Sequence, residues 1–110
     1  MGKPNWKYME EDILREIGEY VASTYGAHYV GEDNIQAIDL IASKGHLNGF
    51  AIGNIIKYGS RYGSKGGFNP DDLMKVIHYA MFALWELKKK QRQSNPLDDA
   101  IENQTHTSEK

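Results

Sequence analysis

The sequence predicts an all-α protein, a compact bundle of about four helices followed by a disordered C-terminal tail. Apolar residues recur at helical rather than alternating spacing, and glycines and prolines separate the apolar segments. No convincing strand pattern or internal repeat is present. At 110 residues and 40% apolar content, the chain fits one domain with a modest core. We therefore expect a single helical domain over residues 1–92 and a disordered polar tail over residues 93–110.

The first two predicted helices lie before residue 45. One is expected from about Met9 to Thr24, after an acidic first turn, with Gly26 as its stop. The next is expected from about Asn34 to Lys44, between Asp33 as N-cap and Gly45 as C-terminal stop. The apolar stripes predict which residues are buried: Ile13, Ile17, Tyr20, Val21 and Thr24 on the first helix, and Ile35, Ile38, Ile41 and Ala42 on the second.

The third predicted helix, from about Asn48 to Ser60, contains an unusual number of glycines. Gly49, Gly53 and Gly59 each cost about 1 kcal/mol of helix stability relative to alanine. Small residues at this spacing allow a neighbouring helix or a ligand to approach the backbone closely. Residues 59–67 are expected to form an irregular glycine-rich loop. The side of the helix expected to be buried carries Ile52, Ile55, Ile56 and Gly59.

The fourth predicted helix has the clearest start. Asn69 is the expected N-cap, Pro70 the first helical residue, and the helix is expected to end near Arg92. The basic run at residues 88–92 fits the negative end of the helix dipole better than it fits a nucleic-acid site. The wide apolar face of this helix comprises Leu73, Val76, Ile77, Ala80, Met81, Leu84 and Leu87.

Charge and composition narrow the class of protein. Residues 1–43 carry a net charge of −5, residues 44–92 of +6 and residues 93–110 of −3. This division can steer an anionic ligand or bring unlike regions of two subunits together, and we expect a homo-oligomer because the core is small. The chain has no cysteine and no apolar run of about 20 residues, so disulfides and a membrane span are not expected. We expect a cytoplasmic protein.

One face of the third helix combines donors suited to phosphate oxygens. Asn54, Lys57, Tyr58 and Arg61 stand at i, i+3, i+4 and i+7, and Lys65 continues the basic character into the loop. The alternative is an ordinary solvated face followed by a flexible connector. A Walker P-loop is excluded, because that motif lies between a strand and a helix and places Ser or Thr after its lysine.

Two histidine–tyrosine pairs and one carboxylate are further candidates. His28–Tyr29 and His78–Tyr79 could donate a proton or hydrogen-bond to a base or phosphate, or form packed aromatic patches. Asp39 stands among apolar residues of the second helix. It is expected to pair with a cation, Lys57 or Arg61, or else to help hold Mg²⁺.

The order and spacing of these residues resemble a family of small phage proteins of largely unassigned function. That family includes a deoxynucleoside monophosphate kinase of a T-odd coliphage. Its pattern runs H-Y, D-x-I, G-[FL]-x-x-G-N-x-[IV]-K-Y-x-x-R, K-G, D-L-x-K and [WH]-Y. The resemblance covers about Ala27 to Trp85 and is most specific in the segment Gly53–Arg61.

The resemblance implies transfer of a phosphoryl group from ATP to a deoxynucleoside monophosphate, with Mg²⁺, in an oligomer within the infected host cell. Catalysis of that transfer depends chiefly on positioning of the reactants and neutralisation of phosphate charge. When the family's roles are carried over residue by residue, the nucleotide phosphate would be bound by Asn54, Tyr58, Lys65 and Lys75. Lys57 and Arg61 would also bind it, in catalytic roles. Asp39 would contact the metal or the base, and His28, Tyr29 and His78 would place the substrate.

Two other functions stay open at this point. One is a non-catalytic protein that sequesters a nucleotide or occupies a host protein. The other is an all-α nucleotide pyrophosphohydrolase, a class whose sequence pattern is E-E-x-x-E followed by E-x-x-D. Glu10 and Glu11 are followed by Leu14 where that motif requires a carboxylate, so this alternative ranks last.

Overall fold

The computed structural model describes residues 4–28 and 37–94, and it confirms the all-α class. Its helices are α1 (Glu10–His28), α2 (Ala37–Ser43), α3 (Leu47–Arg61) and α4 (Pro70–Ser94). Asp33, expected as an N-cap, Ile35, expected to be buried, and residues 95–110 of the expected tail lie outside the described residues, whereas Gln93 and Ser94, expected in the tail, belong to α4. Most tertiary packing is between α3 and α4, which form a helical hairpin, while α1 packs on α4 and α2 on α3.

Helix α1 continues past the expected stop. It runs through Gly26 to His28, so the predicted end at Thr24 is wrong. A single glycine within a helix costs only about 1 kcal/mol, which packing on α4 can offset. Ile17 is the buried residue of the predicted stripe, whereas Ile13 remains substantially exposed.

The end of α2 follows the prediction. Gly45 has a left-handed φ of +82°, and its amide donates to the carbonyl of Ala42 at 3.0 Å. The amide of His46 donates to the carbonyl of Ile41 at 3.1 Å. These two bonds make a Schellman motif, which reverses the chain and leads directly into α3.

Helix α3 buries a stripe that differs from the expected one, although Ile55 is half-buried as expected. Leu47 and Ala51 are buried, with Asn54 and Tyr58 half-buried on the same stripe toward α4. Ile56, expected inside, is 62% exposed, and Ile52 is also exposed. Asn54 and Tyr58 can turn inward because the Asn54 amide bonds to the Phe50 carbonyl and the Tyr58 ring stacks on Tyr79. Lys57 and Arg61 of the same polar face stay exposed.

The loop between α3 and α4 is a tight turn rather than an irregular connector. The amide of Gly63 donates to the carbonyl of Gly67 at 2.9 Å, and Ser64 and Gly67 form an isolated β-bridge. Gly63 has φ +85°, and a Cβ there would lie 2.8 Å from the Phe68 ring. Both the backbone conformation and the phenyl ring therefore require glycine at this position.

Helix α4 begins as predicted. The Asn69 Oδ1 accepts a hydrogen bond from the amide of Asp71 at 2.9 Å, which makes Asn69 the N-cap. The buried face was predicted only in part, since Asp72, His78 and Glu86 are buried while Leu73, Leu84 and Leu87 are exposed. The helix therefore has two flanks, one facing α1, α2 and α3, and one apolar flank facing solvent.

Candidate functional site

A cavity of about 310 Å³ lies among the four helices, and we call it the aromatic cleft. Residues from α1, α2, α3 and α4 all line it. Its polar groups include the side chains of Lys75 and His78, both on α4. Because residues three and four apart share a helix face, α4 can present a cation and several rings to the same space. The aromatic rings that line the cleft are Tyr20, Phe50, Tyr79 and Phe82.

The Lys75 ammonium lies between two phenol rings. Its Nζ is 5.8 Å from the centre of the Tyr20 ring and 5.8 Å from the centre of the Tyr58 ring. It donates a long hydrogen bond of 3.5 Å to the Tyr20 hydroxyl. Two aromatic faces hold the ammonium in place without neutralising it. The positive charge therefore stays available to an anion at the cleft.

A second cation flanks the same ring. The Lys57 Nζ is 4.9 Å from the centre of the Tyr58 ring, so both ammonium groups lie within 6 Å of that ring centre. Tyr58 is itself fixed by Tyr79, with ring planes 7° apart and centroids separated by 6.1 Å. The structure thus brings together three of the predicted site residues, Lys57, Tyr58 and Lys75.

His78 is packed rather than solvated. Only 8% of the residue is exposed, its ring stacks on Phe82 with centroids 4.8 Å apart, and it meets the edge of Tyr20 at 5.8 Å. Burial, and then the positive charge of Lys75, lower the pKa of His78 below the ordinary value of 6.5. The neutral imidazole can accept or donate a hydrogen bond at the boundary of the cleft.

The lowered pKa of His78 predicts acid sensitivity of the fold. The unfolded chain binds a proton at this site more readily than the folded chain, so stability is fully present above about pH 6.5 and is lost as pH falls through the lowered pKa. His78→Phe should remove this contribution. Urea denaturation at pH 7.5 and 5.5 should show a smaller acid loss in His78→Phe than in the wild type. His46→Gln, at an exposed histidine, is the control, and equal losses in wild type and His78→Phe would contradict the prediction.

A second cavity, of about 390 Å³, adjoins the first, and we call it the Asp39 cleft. The two share Ile38, His78 and Phe82 as a common wall. Beyond that wall the Asp39 cleft is mostly apolar, with Asp39 as its carboxylate and Trp85 as its indole. Asp39 therefore lines a cavity together with His78, and its expected ion pair with Lys57 or Arg61 is absent among the described residues.

Arg61 and Asn54 are engaged within the protein. The Arg61 Nε lies 3.7 Å from the Asp72 Oδ1, and Asp72 is almost wholly buried. The Asn54 Nδ2 donates to the carbonyl of Phe50 at 2.9 Å. The Arg61–Asp72 contact links α3 to α4, and the Asn54 bond satisfies that amide within α3. Asp72 was not among the candidate site residues, so its role as the buried partner of Arg61 was missed.

Of the remaining candidates, Lys65 does not line the aromatic cleft. Lys65 is an exposed residue of the turn after α3. His28 is the last residue of α1, and Tyr29 lies outside the described residues. Sequence reasoning missed Tyr20, Phe50 and Phe82. The signal for Phe82 was available, because Lys75, Tyr79 and Phe82 stand at i, i+4 and i+7 on one face of α4.

Among residues 4–28 and 37–94, no three His, Asp or Glu side chains are close enough together to hold a metal ion. None of the helices described is both long and apolar enough to cross a membrane.

Comparison with known proteins gives one family. The model of DUF3310, a family of proteins of unknown function, matches residues 23–81, which is more than half of the chain. The chain therefore belongs to this family. Lys57, Lys75, His78 and Asp39 all lie within the matched residues. No curated protein and no solved structure shows significant similarity to the chain.

Proposed function

We propose that this member of the DUF3310 family is a nucleotide-binding protein whose phosphate site is at Lys75. The observation that carries the proposal is the position of that ammonium, at an aromatic cleft and between the rings of Tyr20 and Tyr58. Ligand sites are typically apolar cavities with a few polar groups that fix orientation. A cation beside aromatic walls matches a ligand that is anionic at one end and planar at the other.

Lys57 strengthens the phosphate site. It lies by the same Tyr58 ring as Lys75, so two positive charges can act on neighbouring oxygens of one phosphate group or of a short phosphate chain. Lysine ammonium groups donate three hydrogen bonds each and bind phosphate as compact charges. The surplus of positive charge over residues 44–92 favours the approach of an anion to this region.

The resemblance to the phage family extends the proposal to phosphoryl transfer. In a (deoxy)nucleoside monophosphate kinase without a Walker motif, Lys57 and Lys75 would neutralise phosphate charge, with ATP as donor and Mg²⁺ supplying further positive charge. Such a protein would act in the cytoplasm of the infected host cell, where nucleotides are found. The alternative is a protein that sequesters a nucleotide without catalysis. It is favoured by Asn54, whose amide donates to the Phe50 carbonyl, and by Arg61, whose Nε faces the buried Asp72.

Calorimetric titration tests the binding proposal. Deoxynucleosides, their monophosphates and their triphosphates are added in turn to the purified protein at low and high salt. Affinity should rise with the number of phosphates and fall with salt, because the cations supply the main contact. Equal binding of nucleoside and nucleotide, or no binding of either, would overturn the proposal. Addition of ATP and Mg²⁺ with a monophosphate then separates the alternatives, since diphosphate product supports the kinase and tight binding without turnover supports sequestration.

We propose, further, that the protein is a homo-oligomer formed through the solvent-facing flank of α4. Along this flank, apolar side chains recur at alternating steps of four and three residues over about 21 Å, the spacing of a helix–helix seam. Leu84, at the centre of the exposed part, is 54% exposed. The seam consists of Leu73, Ile77, Ala80, Leu84 and Leu87.

Charge along α4 favours a second copy in antiparallel orientation. The helix starts with the exposed carboxylate of Asp71 and ends with basic residues, including Lys88 and Arg92 beside the seam. In a parallel pair the basic ends would meet each other. In an antiparallel pair each basic end lies toward the acidic start of its partner, and the seam meets itself across a two-fold axis.

Leu84→Arg should therefore convert the oligomer to a monomer. A buried unpaired guanidinium in the seam costs more than the apolar contacts provide. Light scattering during size-exclusion chromatography measures the mass, and circular dichroism checks that helicity is retained. Leu14→Arg, at an exposed leucine of α1, is the matched control and should keep the wild-type mass. A monomeric wild type, or an unchanged mass in Leu84→Arg, would contradict the α4 interface.

A further inference from the structure

The two clefts carry opposite charges on either side of a shared wall. Lys75 is the cation of the aromatic cleft and Asp39 is the carboxylate of the Asp39 cleft. Ile38, His78 and Phe82 line both, so the cavities are neighbouring compartments of one groove. Lys75 lines the first compartment and the exposed Asp39 lines the second, so the two compartments differ in the sign of their charged side chain. A ligand that spans both compartments has its orientation set by these charges.

For a nucleotide in this groove, the charges favour one direction. Its phosphate belongs at Lys75, because a carboxylate at the other end would repel it. Its base then falls in the Asp39 cleft, where the cavity of about 390 Å³ is of the size that small ligands occupy. The flat side chains of Phe82 and Trp85 line that cavity and suit a planar aromatic ring.

The carboxylate in the compartment for the base favours bases that present hydrogen-bond donors. An ionised Asp39 can only accept hydrogen bonds, and its two oxygens can accept two at once. Guanine presents a ring N–H and an adjacent exocyclic amino group on one edge. Adenine and cytosine present an amino group next to an acceptor nitrogen, and thymine presents one N–H between two carbonyl oxygens. Of these four bases, only guanine therefore offers two adjacent N–H groups to the two carboxylate oxygens and places no acceptor opposite them.

We propose that the Asp39 cleft recognises the base of the bound nucleotide and that Asp39 selects guanine through its paired N–H groups. This inference rests on the proposed phosphate site at Lys75. It assigns Asp39 to specificity, not to the metal. The neutral His78 imidazole lies in the wall between base and phosphate, where it can hydrogen-bond to the ligand.

Competition among four monophosphates tests the assignment. The affinities of dGMP, deoxyinosine monophosphate, dAMP and dCMP are measured by calorimetry for the wild type and for Asp39→Asn. The wild type should bind dGMP about tenfold more tightly than deoxyinosine monophosphate, which lacks only the amino group, and at least as much more tightly than dAMP or dCMP. Asp39→Asn should lose this preference while its affinity for dAMP stays within about twofold of the wild type. Asp71→Asn, at an exposed carboxylate of the α4 start, is the control and should keep the wild-type order.

The outcomes separate this inference from the proposed function. If the wild type binds the four monophosphates equally and in a phosphate-dependent way, base selection by Asp39 is overturned and the phosphate site stands. If Asp39→Asn weakens all four equally, and does so only when Mg²⁺ is present, the carboxylate serves the metal and the inference is overturned. If no monophosphate binds, the proposed function fails and base recognition fails with it.

Discussion

Replacement of Lys75 by methionine should weaken nucleotide binding by about ten- to a hundredfold. A hydrogen bond to a charged group contributes about 1.5–3 kcal/mol, which corresponds to that range of affinity. The loss should be large because the ammonium is already held between the Tyr20 and Tyr58 rings, so that little side-chain entropy is lost on binding. Methionine keeps most of the length of the side chain and removes only the charge. Titration with a deoxynucleoside triphosphate measures the effect.

The control for Lys75→Met is Lys7→Met. Lys7 is exposed, contacts the Tyr8 ring and precedes α1, about 15 Å or more along the helix from the part that lines the cleft. Its replacement removes the same charge and should leave affinity unchanged at physiological salt. Equal losses in both variants would mean that only net charge matters, and would remove Lys75 from the site. Lys57→Met should give a smaller loss than Lys75→Met, since Lys57 is the more exposed of the two.

Leu47→Ala should destabilise the folded protein by about 2–5 kcal/mol. Leu47 begins α3 and is 0% exposed, and it is the largest fully buried side chain in the described residues. Its removal leaves a cavity beneath α3, and the α3–α4 hairpin provides most of the tertiary contacts. Small domains typically have about 5–15 kcal/mol of stability in total, so this loss is a large share of it. Urea denaturation followed by circular dichroism measures the change at a fixed protein concentration.

Leu40→Ala is the matched control for that experiment. Leu40 lies on α2 and is 53% exposed, so the same deletion should cost less than about 1 kcal/mol. A loss in Leu47→Ala no larger than that of Leu40→Ala would show that the start of α3 is not the core. Because an oligomer is stabilised by mass action, both variants must be compared at the same concentration of chains.

The sequence predicted helix positions better than helix faces. Asn69 and Gly45 act through local hydrogen bonds and backbone conformation, which depend on few residues, so their roles were readable. The buried face of α3 depended on partners supplied by α4. Arg61 can point toward α4 because Asp72 is there, and Tyr58 can because Tyr79 stacks on it. Such pairings join residues that are distant in sequence, and apolar periodicity alone does not reveal them.

The residues of the candidate site were also predicted only in part. The basic and aromatic residues Lys57, Tyr58 and Lys75 were identified, and the structure places them together around one ring. Asp39 was expected beside a cation of α3 and instead lines a cavity with His78. The rings of Tyr20 and Phe82 were assigned to no site, since an aromatic residue on a helix is as typical of packing as of ligand contact. Tyr20 and Phe82 line the same cavity because α1 packs on α4.

The fluorescence of Trp85 can report on the Asp39 cleft. Its indole lines the Asp39 cleft, and the Lys89 ammonium lies 4.1 Å from the ring centre. The other indole, Trp6, precedes α1 and lies outside both clefts. Stacking or close approach of a nucleobase quenches the excited indole, so occupancy of the Asp39 cleft would change the emission of one tryptophan and leave the other as an internal reference.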